Sequence, residues 1–530
     1  MSELITIVEL QARTERLLTP YLRPGGPGVV VGVARDGITL LQCVFGAADV
    51  MSGAPLTLET QLPIASVTKH MTAIGAEILA EEGLLDLDAP VGNYVEGLEL
   101  AVGRPTLRQL MTHQSGLRCH LDVQFLSGRG SRPDGFAMRT IKRMHTVNTE
   151  PGELQVYGNT GFHLVSRAIE AAAGCSFARF MEARVFGPLG LTHTVLAQNW
   201  APGSGNAALY AAEGEEWRDV GDLRHESLGE GGVSSRLDDM MSWARALRTE
   251  DPRLPKAAWT AVKFEASTSD GMPSGYGLGL VVGRHRGVET IGHGGMIYGA
   301  TSALLTAPAH GVDIVVLANM NLPAEAIARD LLVAVLDESV LTPAAAPART
   351  QDWPGLQEGL FLANALVARF LDLGGALAIS LQGSPPLPLM TGVEGLWLQG
   401  VFGPISILLP DGPGGDRLEV RMGGETHAAL RTRNAPPHGP ALAREVVGTY
   451  VCAEIESAIT LLHGDDAIGI RTQGPYGTVE GRAIPITAEI LLAEVPFSRF
   501  LLTLRRESGQ VTGLVYDTPR TRALPFLRIS

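Results

Sequence analysis

The chain has 530 residues, more than one hydrophobic core can organise, so two to four domains are expected. With 45% apolar and 18% charged residues it is globular in composition rather than disordered or fibrous. A net charge of -14 argues against a nucleic-acid or anionic-membrane partner.

The N-terminal segment MSELITIVELQARTERLL mixes acids and arginines with apolar residues at helical spacing and has no uninterrupted apolar stretch of the secretory kind. No apolar run of about 18 residues follows, so no membrane span is expected. The four cysteines, Cys43, Cys119, Cys175 and Cys452, form no CxxC pair and are too sparse for a disulfide scaffold. They read as free thiols, and the expected compartment is the cytoplasm.

GVVVGVARDGITLLQCVFGAADV is a β-hairpin pattern, two β-branched runs around Asp36-Gly37. Its leading glycines do not make a dinucleotide site, because that fingerprint needs a strand before them and a helix after. From Ser66 to about Leu84 the pattern turns helical, with Val67, Met71, Ile74 and Ile78 on one face. TLRQLMTHQ, TGFHLVSRAIEAAAG and SRLDDMMSWARALR predict further helices, the last opened by a capping-box spacing of Ser235 and Asp238. Strands return in GLGLVVGR, VETIGHGG, SALLTAP and GVDIVVLANM, and the helical pattern AEAIARDLLVAVLDE closes the block. This order predicts an α+β domain over 1–341, an antiparallel sheet with helices packed on it.

TPAAAPART marks a linker over 342–350. Beyond it short strands alternate with Gly/Pro turns, the pattern of small antiparallel barrels or sandwiches. A weak echo between GLFLANALVARFLDL at 359 and GTYVCAEIESAITLL at 448 divides this region into β-domains over 351–441 and 442–530.

The chemistry centres on PIASVTKHMTA. With 25 serines and four lysines, roughly 0.2 Ser-x-x-Lys pairs are expected by chance from such residue usage. The plain reading makes Ser66 a helix cap and Lys69 a solvated side chain. Against it, position i+3 puts the Lys69 amine on the face of the Ser66 hydroxyl, at a helix N-terminus whose free N–H groups favour an oxyanion. A serine hydroxyl needs a base, and a lysine of lowered pKa can be one. Downstream, VYGNTG supplies Tyr157 as a proton relay and Asn159 to hold Lys69 and a substrate carbonyl. IGHGGM supplies His293, Gly294 and Gly295 at a strand end, where two glycines let a substrate backbone lie close. The N–H groups of Ser66 and Met296 could form an oxyanion hole. Each element alone is ordinary turn chemistry; the three in order point to serine acyl transfer. No G-x-S-x-G elbow and no H-E-x-x-H or CxxC metal spacing competes, and no metal or cofactor is expected. His113 in LMTHQSGL reads as packed rather than as a ligand.

SVTK, LRQLMTHQSGL, EPGELQVYGNTGFHLVSRAIEAAAG, GEGGVSSRLDDMMSWARAL and GHGG together resemble the penicillin-recognising, β-lactamase-like serine hydrolases. That family includes β-lactamases, D,D-carboxypeptidases and esterases. The resemblance spans roughly residues 20 to 335, with His-Gly-Gly in place of the usual Lys-Thr-Gly and no counterpart of the class A deacylating glutamate. The whole plan is similar to a branch in which two antiparallel β-barrels follow the hydrolase domain. It implies a β-lactamase-like domain, an acyl-enzyme on Ser66, release of N-terminal D-residues from peptides, amides or esters, and a homodimer. In that branch an aspartate on a loop of the last barrel meets the substrate's free amine. The matching segment here, LLAEVPFSRFLLTLRRE, is shorter and has no aspartate, which leaves Glu494 as the nearest acid. The alternatives are an esterase or D,D-peptidase using the same Ser66, Lys69 and Tyr157, and a non-catalytic binding protein built on the barrels.

Overall fold

The structure is a computed structural model. It describes residues 5–529 apart from 127, 129–134, 198–201, 204, 221–225, 268–270, 272, 364–365, 393–394, 401–402, 413, 423–424, 433–438, 465–467 and 497. The first helix, α1 (Ile7–Leu18), starts where Thr6 and Glu9 satisfy each other's backbone N–H groups. Strands β1 (Val29–Arg35) and β2 (Ile38–Phe45) pair antiparallel through Asp36 and Gly37, both at positive φ, the two-residue turn that the Asp-Gly pair predicts. Helices α2 (Thr68–Glu81), α3 (Leu107–Met111), α4 (His120–Leu126), α5 (Asn159–Ala173) and α6 (Leu237–Thr249) follow. Strands β3 (Val281–His285), β4 (Val288–Ile297), β5 (Ala300–Ala307) and β6 (Val312–Ala318) then lead to α7 (Ala324–Val335).

These six strands make one sheet in the order β3-β4-β5-β6-β1-β2. The unbroken apolar run of β1 is explained by burial on both faces. Val29, Val31 and Val33 join α1 and α7 in one core, while Val30 joins the helical core of α2, α5 and α6 on the other side. Helices α1 and α7 thus cover one face of the sheet, and the helices that carry the candidate site pack against the other.

Two local expectations change. Ser235 does not cap α6: it lies in a short strand opposite Leu62, and its hydroxyl bonds the Thr194 hydroxyl at 2.8 Å. The strand predicted from GLGLVVGR begins only at Val281, because residues 277–280 fold tightly against α2. A Cβ on Gly279, at φ +73°, would lie 2.7 Å from the Lys69 carbonyl carbon.

The Pro/Ala segment is bound rather than slack: Ala348 N–H donates to Leu389 O and Ala348 O accepts from Leu377 N–H, both at 2.8 Å. Next comes a nine-stranded antiparallel sheet whose first and last strands, Leu387–Pro388 and Met390–Thr391, are separated by one residue in sequence. The sheet therefore curls until its edges nearly meet, a barrel-like wall without a closing ladder. The join expected at 442 falls inside a short helix, Gly439–Val446. The last eight strands close completely: β7 (Gly448–Cys452), β8 (Ser457–His463), β9 (Ile468–Gly474), β10 (Gly477–Pro485), β11 (Ile490–Val495), β12 (Ser498–Glu507), β13 (Gln510–Asp517) and β14 (Leu524–Arg528). The two echo segments sit on the first hairpins of these two β units.

No helix among the described residues is long and apolar enough to cross a membrane.

Candidate active site

Ser66 lies in a turn of 3-10 helix, Ala65–Val67, that runs straight into α2. Ala65 has φ +46°, a left-handed conformation that costs a non-glycine residue energy and is held here by its surroundings. The turn is clamped to the sheet. The Ser302 hydroxyl donates to Ile64 O at 2.7 Å, and a Cβ on Gly295 would lie 2.3 Å from the same carbonyl oxygen. The glycine at 295 is thus required by the protein's own turn. Its neighbour Gly294 faces the opposite side of β4, where a Cβ would meet the Glu325 carboxyl carbon at 2.3 Å. The two glycines let β4 lie between the Ser66 turn and α7, a different reason from the room for substrate that their position suggested.

One turn along α2, Lys69 is fully buried. Its Nζ lies 2.9 Å from Ser66 Oγ, 2.8 Å from Asn159 Oδ1 and 2.6 Å from Glu230 O. The last two atoms can only accept hydrogen bonds. A neutral Lys69 amine must give both its N–H groups to them, and its lone pair then points at the Ser66 hydroxyl. Burial lowers the Lys69 pKa to about 7, partly opposed by the charge of Glu230 and assisted by that of Arg520. The Tyr157 hydroxyl donates to Ser66 Oγ at 2.9 Å. Burial pushes its pKa upward, so the phenol stays protonated where the amine does not. Of the two groups on Ser66, Lys69 is therefore the one able to accept a proton and Tyr157 the one able to donate.

A second chain of contacts lies behind Tyr157. Gly158 N–H donates to His113 Nδ1 at 3.3 Å, so the other ring nitrogen carries the proton and gives it to the Tyr276 hydroxyl at 3.2 Å. At the far end His293 Nδ1 faces Gly294 O, an acceptor only, and so is the protonated nitrogen. Tyr276 then donates to His293 Nε2 at 2.8 Å. Backbone groups at both ends fix the direction of every proton in Gly158–His113–Tyr276–His293. Burial holds both imidazoles well below their usual pKa and raises that of Tyr276, so the chain is neutral. His113 is packed and hydrogen-bonded, with its ring 4.2 Å from that of Tyr157. Tyr276 was not singled out in the sequence; its only signal is an aromatic residue inside the glycine-rich SGYGLGL.

Met296 follows on β4. Strand β3 pairs with β4 only up to Gly292, so among the described residues positions 294–297 have β5 as a partner on one side and no strand on the other. The Ser66 turn packs on this stretch, where a Cβ on Gly295 would lie 2.3 Å from Ile64 O and 3.2 Å from Ala65 Cβ. The structure thus brings together Ser66, Lys69, Tyr157, Asn159, His293, Gly294, Gly295 and Met296.

Glu494 is the exception. It sits on β11 of the closed barrel, where Arg482 holds Oε2 at 2.6 Å and Arg499 holds Oε1 at 3.2 Å. Arg499 also reaches Gly383 O of the nine-stranded sheet. Among the described residues no hydrogen bond or ion pair links Glu494 to the Ser66 group. Strands β11 and β12 stay paired up to Val495 and Ser498, so the two residues between them are too few to extend elsewhere. Barrel segments that do reach the hydrolase domain include the β7–β8 turn, where Glu454 accepts from His145 N–H and from Thr146, and the β13–β14 loop, residues 518–523, which donates and accepts hydrogen bonds with Arg118, Cys119, Asp122 and Asn148.

Sequence spacing pointed to no metal site, yet the fold gathers three buried potential ligands beside Lys69. His163 Nδ1 is 3.0 Å and His120 Nε2 4.0 Å from Glu230 Oε1. Burial alone would raise the Glu230 pKa, but the two histidines outweigh it and hold the carboxylate down at about 2. His70 is structural: its Nε2 accepts from Trp243 Nε1 at 2.8 Å, and burial lowers its pKa to about 3.

Comparison with known proteins agrees with this architecture. A D-aminopeptidase of Cereibacter sphaeroides is 27% identical over 95% of this chain and 96% of its own, and one of Brucella melitensis is 27% identical over 86% and 84%. Among solved structures, a D-stereospecific amidohydrolase from Streptomyces sp. covers 58% of this chain and 94% of its own at 27% identity and a TM-score of 0.50. An octameric penicillin-binding protein homologue from Pyrococcus abyssi, only 17% identical, shares the fold over 99% of this chain and all of its own, with a TM-score of 0.54. Residues 14–338, more than half of the sequence and all of the elements that build the Ser66 site, match the profile of the Beta-lactamase family, and the chain belongs to that family.

Proposed function

We propose that this protein is a serine hydrolase that releases N-terminal D-amino acids from peptides, amides or esters through an acyl-enzyme on Ser66, as a D-aminopeptidase does. The observation that carries the chemistry is the Lys69 amine, whose lone pair is directed at Ser66 Oγ by two acceptor-only neighbours. The substrate class is supported by the relatives, which are D-aminopeptidases matched along nearly their whole length.

In this reading Lys69 takes the hydroxyl proton as Ser66 Oγ bonds to the scissile carbonyl carbon. The displaced electron pair goes onto the carbonyl oxygen, which the N–H groups of Ser66 and Met296 hold. As the C–N or C–O bond breaks, the leaving atom takes the proton from Lys69 through the Tyr157 hydroxyl. Water then attacks the ester, Lys69 accepts its proton, and the D-amino acid leaves as Ser66 is restored. Asn159 keeps Lys69 oriented, and His293 fixes the strand that carries Met296. The Pro/Ala segment divides a catalytic domain from two β-domains. The four unpaired thiols suit the cytoplasm, and a homodimer follows from the family resemblance.

A second reading has one observation in its favour. Glu494 is committed to two arginines, so no acid from the β11–β12 turn meets a free amine, which suits an esterase or D,D-peptidase using the same Ser66.

The deciding experiment follows p-nitroaniline release from D-alanine p-nitroanilide and its L enantiomer, with intact mass of the protein. D-selective turnover and an acylated species, both lost in Ser66→Ala, are expected. Ser66→Ala with most of its activity would refute the site. Equal turnover of both enantiomers, or ester hydrolysis alone, would refute the D-residue assignment.

A further inference from the structure

The closed barrel forms part of the site's wall. Its β13–β14 loop rests on the segment before α4: Cys119 N–H donates to Arg520 O at 3.3 Å, and Asn148 Nδ2 donates to the same carbonyl at 3.0 Å. Arg522 N–H in turn reaches Asn148 Oδ1 at 2.8 Å, and Arg118 Nε reaches Arg522 O at 3.1 Å. From there to the nucleophile the path is short. Cys119 Sγ lies 3.8 Å from Asn159 Nδ2, and Asn159 Oδ1 holds Lys69. The main chain at residue 520 is thus separated from Lys69 by two residues, Cys119 and Asn159, on the helical side of the site.

Arg520 is ion-paired with Asp122, whose other oxygen takes the Thr518 hydroxyl at 2.6 Å. The two partners differ in access. The Asp122 side chain is 5% exposed and that of Arg520 is 31% exposed. Solvent therefore meets the cation and not its counter-ion. Only one nitrogen of the guanidinium is engaged, and its remaining N–H groups have no protein partner among the described residues. Among the described residues the other acids of this region are engaged: Glu454 is held by Arg118 and Thr146, buried Asp517 accepts from Ala523 N–H, and Glu494 is held by its own arginines. On the β4 side the imidazoles are neutral and Glu325 lies behind Gly294.

We propose that Arg520 is a specificity-determining residue that binds the carboxylate of the amino acid on the leaving side of the scissile bond, so that dipeptides with an N-terminal D-residue are preferred to the matching amides. This rests on the hydrolase reading above. The leaving side follows from the wall on which Arg520 stands. That wall carries Asn159 and adjoins Tyr157, whose hydroxyl hands a proton to the leaving nitrogen, whereas the acyl oxygen belongs to Met296 on β4. In a dipeptide the carboxylate is one Cα beyond that nitrogen, and a guanidinium with unused N–H groups can bind it by two parallel hydrogen bonds.

The test compares kcat/KM for D-alanyl-glycine and D-alanyl-glycinamide, which differ only in that terminal charge, in the wild type, Arg520→Gln and Arg520→Lys. The wild type should favour the acid. Arg520→Gln should cut the acid-to-amide ratio by about tenfold or more, mainly through KM, as loss of a charge-assisted hydrogen bond does. Arg520→Lys should restore part of it. A ratio unchanged in Arg520→Gln overturns the proposal. So does a wild-type ratio at or below one, a result that needs no variant to fold. Failure to cleave either dipeptide, with p-nitrophenyl acetate still hydrolysed at Ser66, would overturn the D-peptide reading together with this inference, whereas an unchanged ratio overturns the inference alone.

Discussion

Turnover should follow the titration of Lys69. Burial lowers this amine from 10.5 to about 7, which disfavours its ammonium form by about 5 kcal/mol relative to water. At pH 7 about half of the molecules then carry a free amine, against roughly one in three thousand for an ordinary lysine. The neutral amine is the active form, so kcat/KM should rise about tenfold per pH unit below pH 7 and level off above it. p-Nitrophenyl acetate is the substrate to use, because it has no ionisable group, whereas the amine of D-alanine p-nitroanilide would superimpose its own titration. One other group must be separated: burial also raises the Glu325 carboxyl to about 7. Glu325→Gln removes that titration and keeps the shape, and the inflection should survive it. Lys69→Arg supplies a guanidinium that does not deprotonate, and the rate should fall by roughly a thousandfold. A flat profile between about pH 5.5 and 8.5, or an inflection that disappears in Glu325→Gln, would refute Lys69 as the base.

Tyr276→Phe removes the hydroxyl that accepts from His113 Nε2 and donates to His293 Nε2. With a buried donor left without its acceptor, stability should fall by about 1–3 kcal/mol, read as a lower urea midpoint, and activity should fall with it as β4 loses its anchor. An unchanged midpoint would show that the chain is not held through Tyr276. Gly295→Ala forces a Cβ to 2.3 Å from Ile64 O, a backbone atom that cannot swing aside. It should cost about 1–3 kcal/mol and depress kcat more than KM, because β4 is pushed from the Ser66 turn. Gly283→Ala, on β3 with nothing within 4 Å of the added carbon, is the control and should be near neutral in both assays.

What could be read from the sequence was local. The Asp36-Gly37 turn, the helical face of α2 and the i+3 relation of Ser66 to Lys69 depend on neighbours a few residues apart, and periodicity reports such relations directly. The Tyr157–Asn159 element was legible for the same reason: three residues at a helix start are one structural unit. Ser235 shows the limit. Its spacing suited a cap, but a strand pairing with Leu62, 173 positions away, took the residue first. Long-range pairing overrides a local preference worth about 1 kcal/mol.

The residues that escaped notice are those whose meaning depends on burial and on distant partners. Tyr276 is one aromatic residue in a glycine-rich stretch until the fold places it between two histidines, and only then does each proton in the chain acquire a direction. Glu230 looks like a loop acid in GEGG, yet its carbonyl fixes the lone pair of Lys69 while its carboxylate opposes the loss of the Lys69 charge. Arg520 is the extreme case. It lies 451 positions beyond Lys69, on a loop of the closed barrel, and no short motif could have joined the two. The segment that matches the family's amine-binding loop, between β11 and β12, is here only two residues long. The neighbouring β13–β14 loop reaches the wall in its place and presents a cation. The two loops would serve different sides of the scissile bond, an acid on the first meeting the amine of the acyl residue and the cation on the second a carboxylate on the leaving side, so a change of connecting loop can alter substrate preference while Ser66, Lys69 and Tyr157 stay as they are.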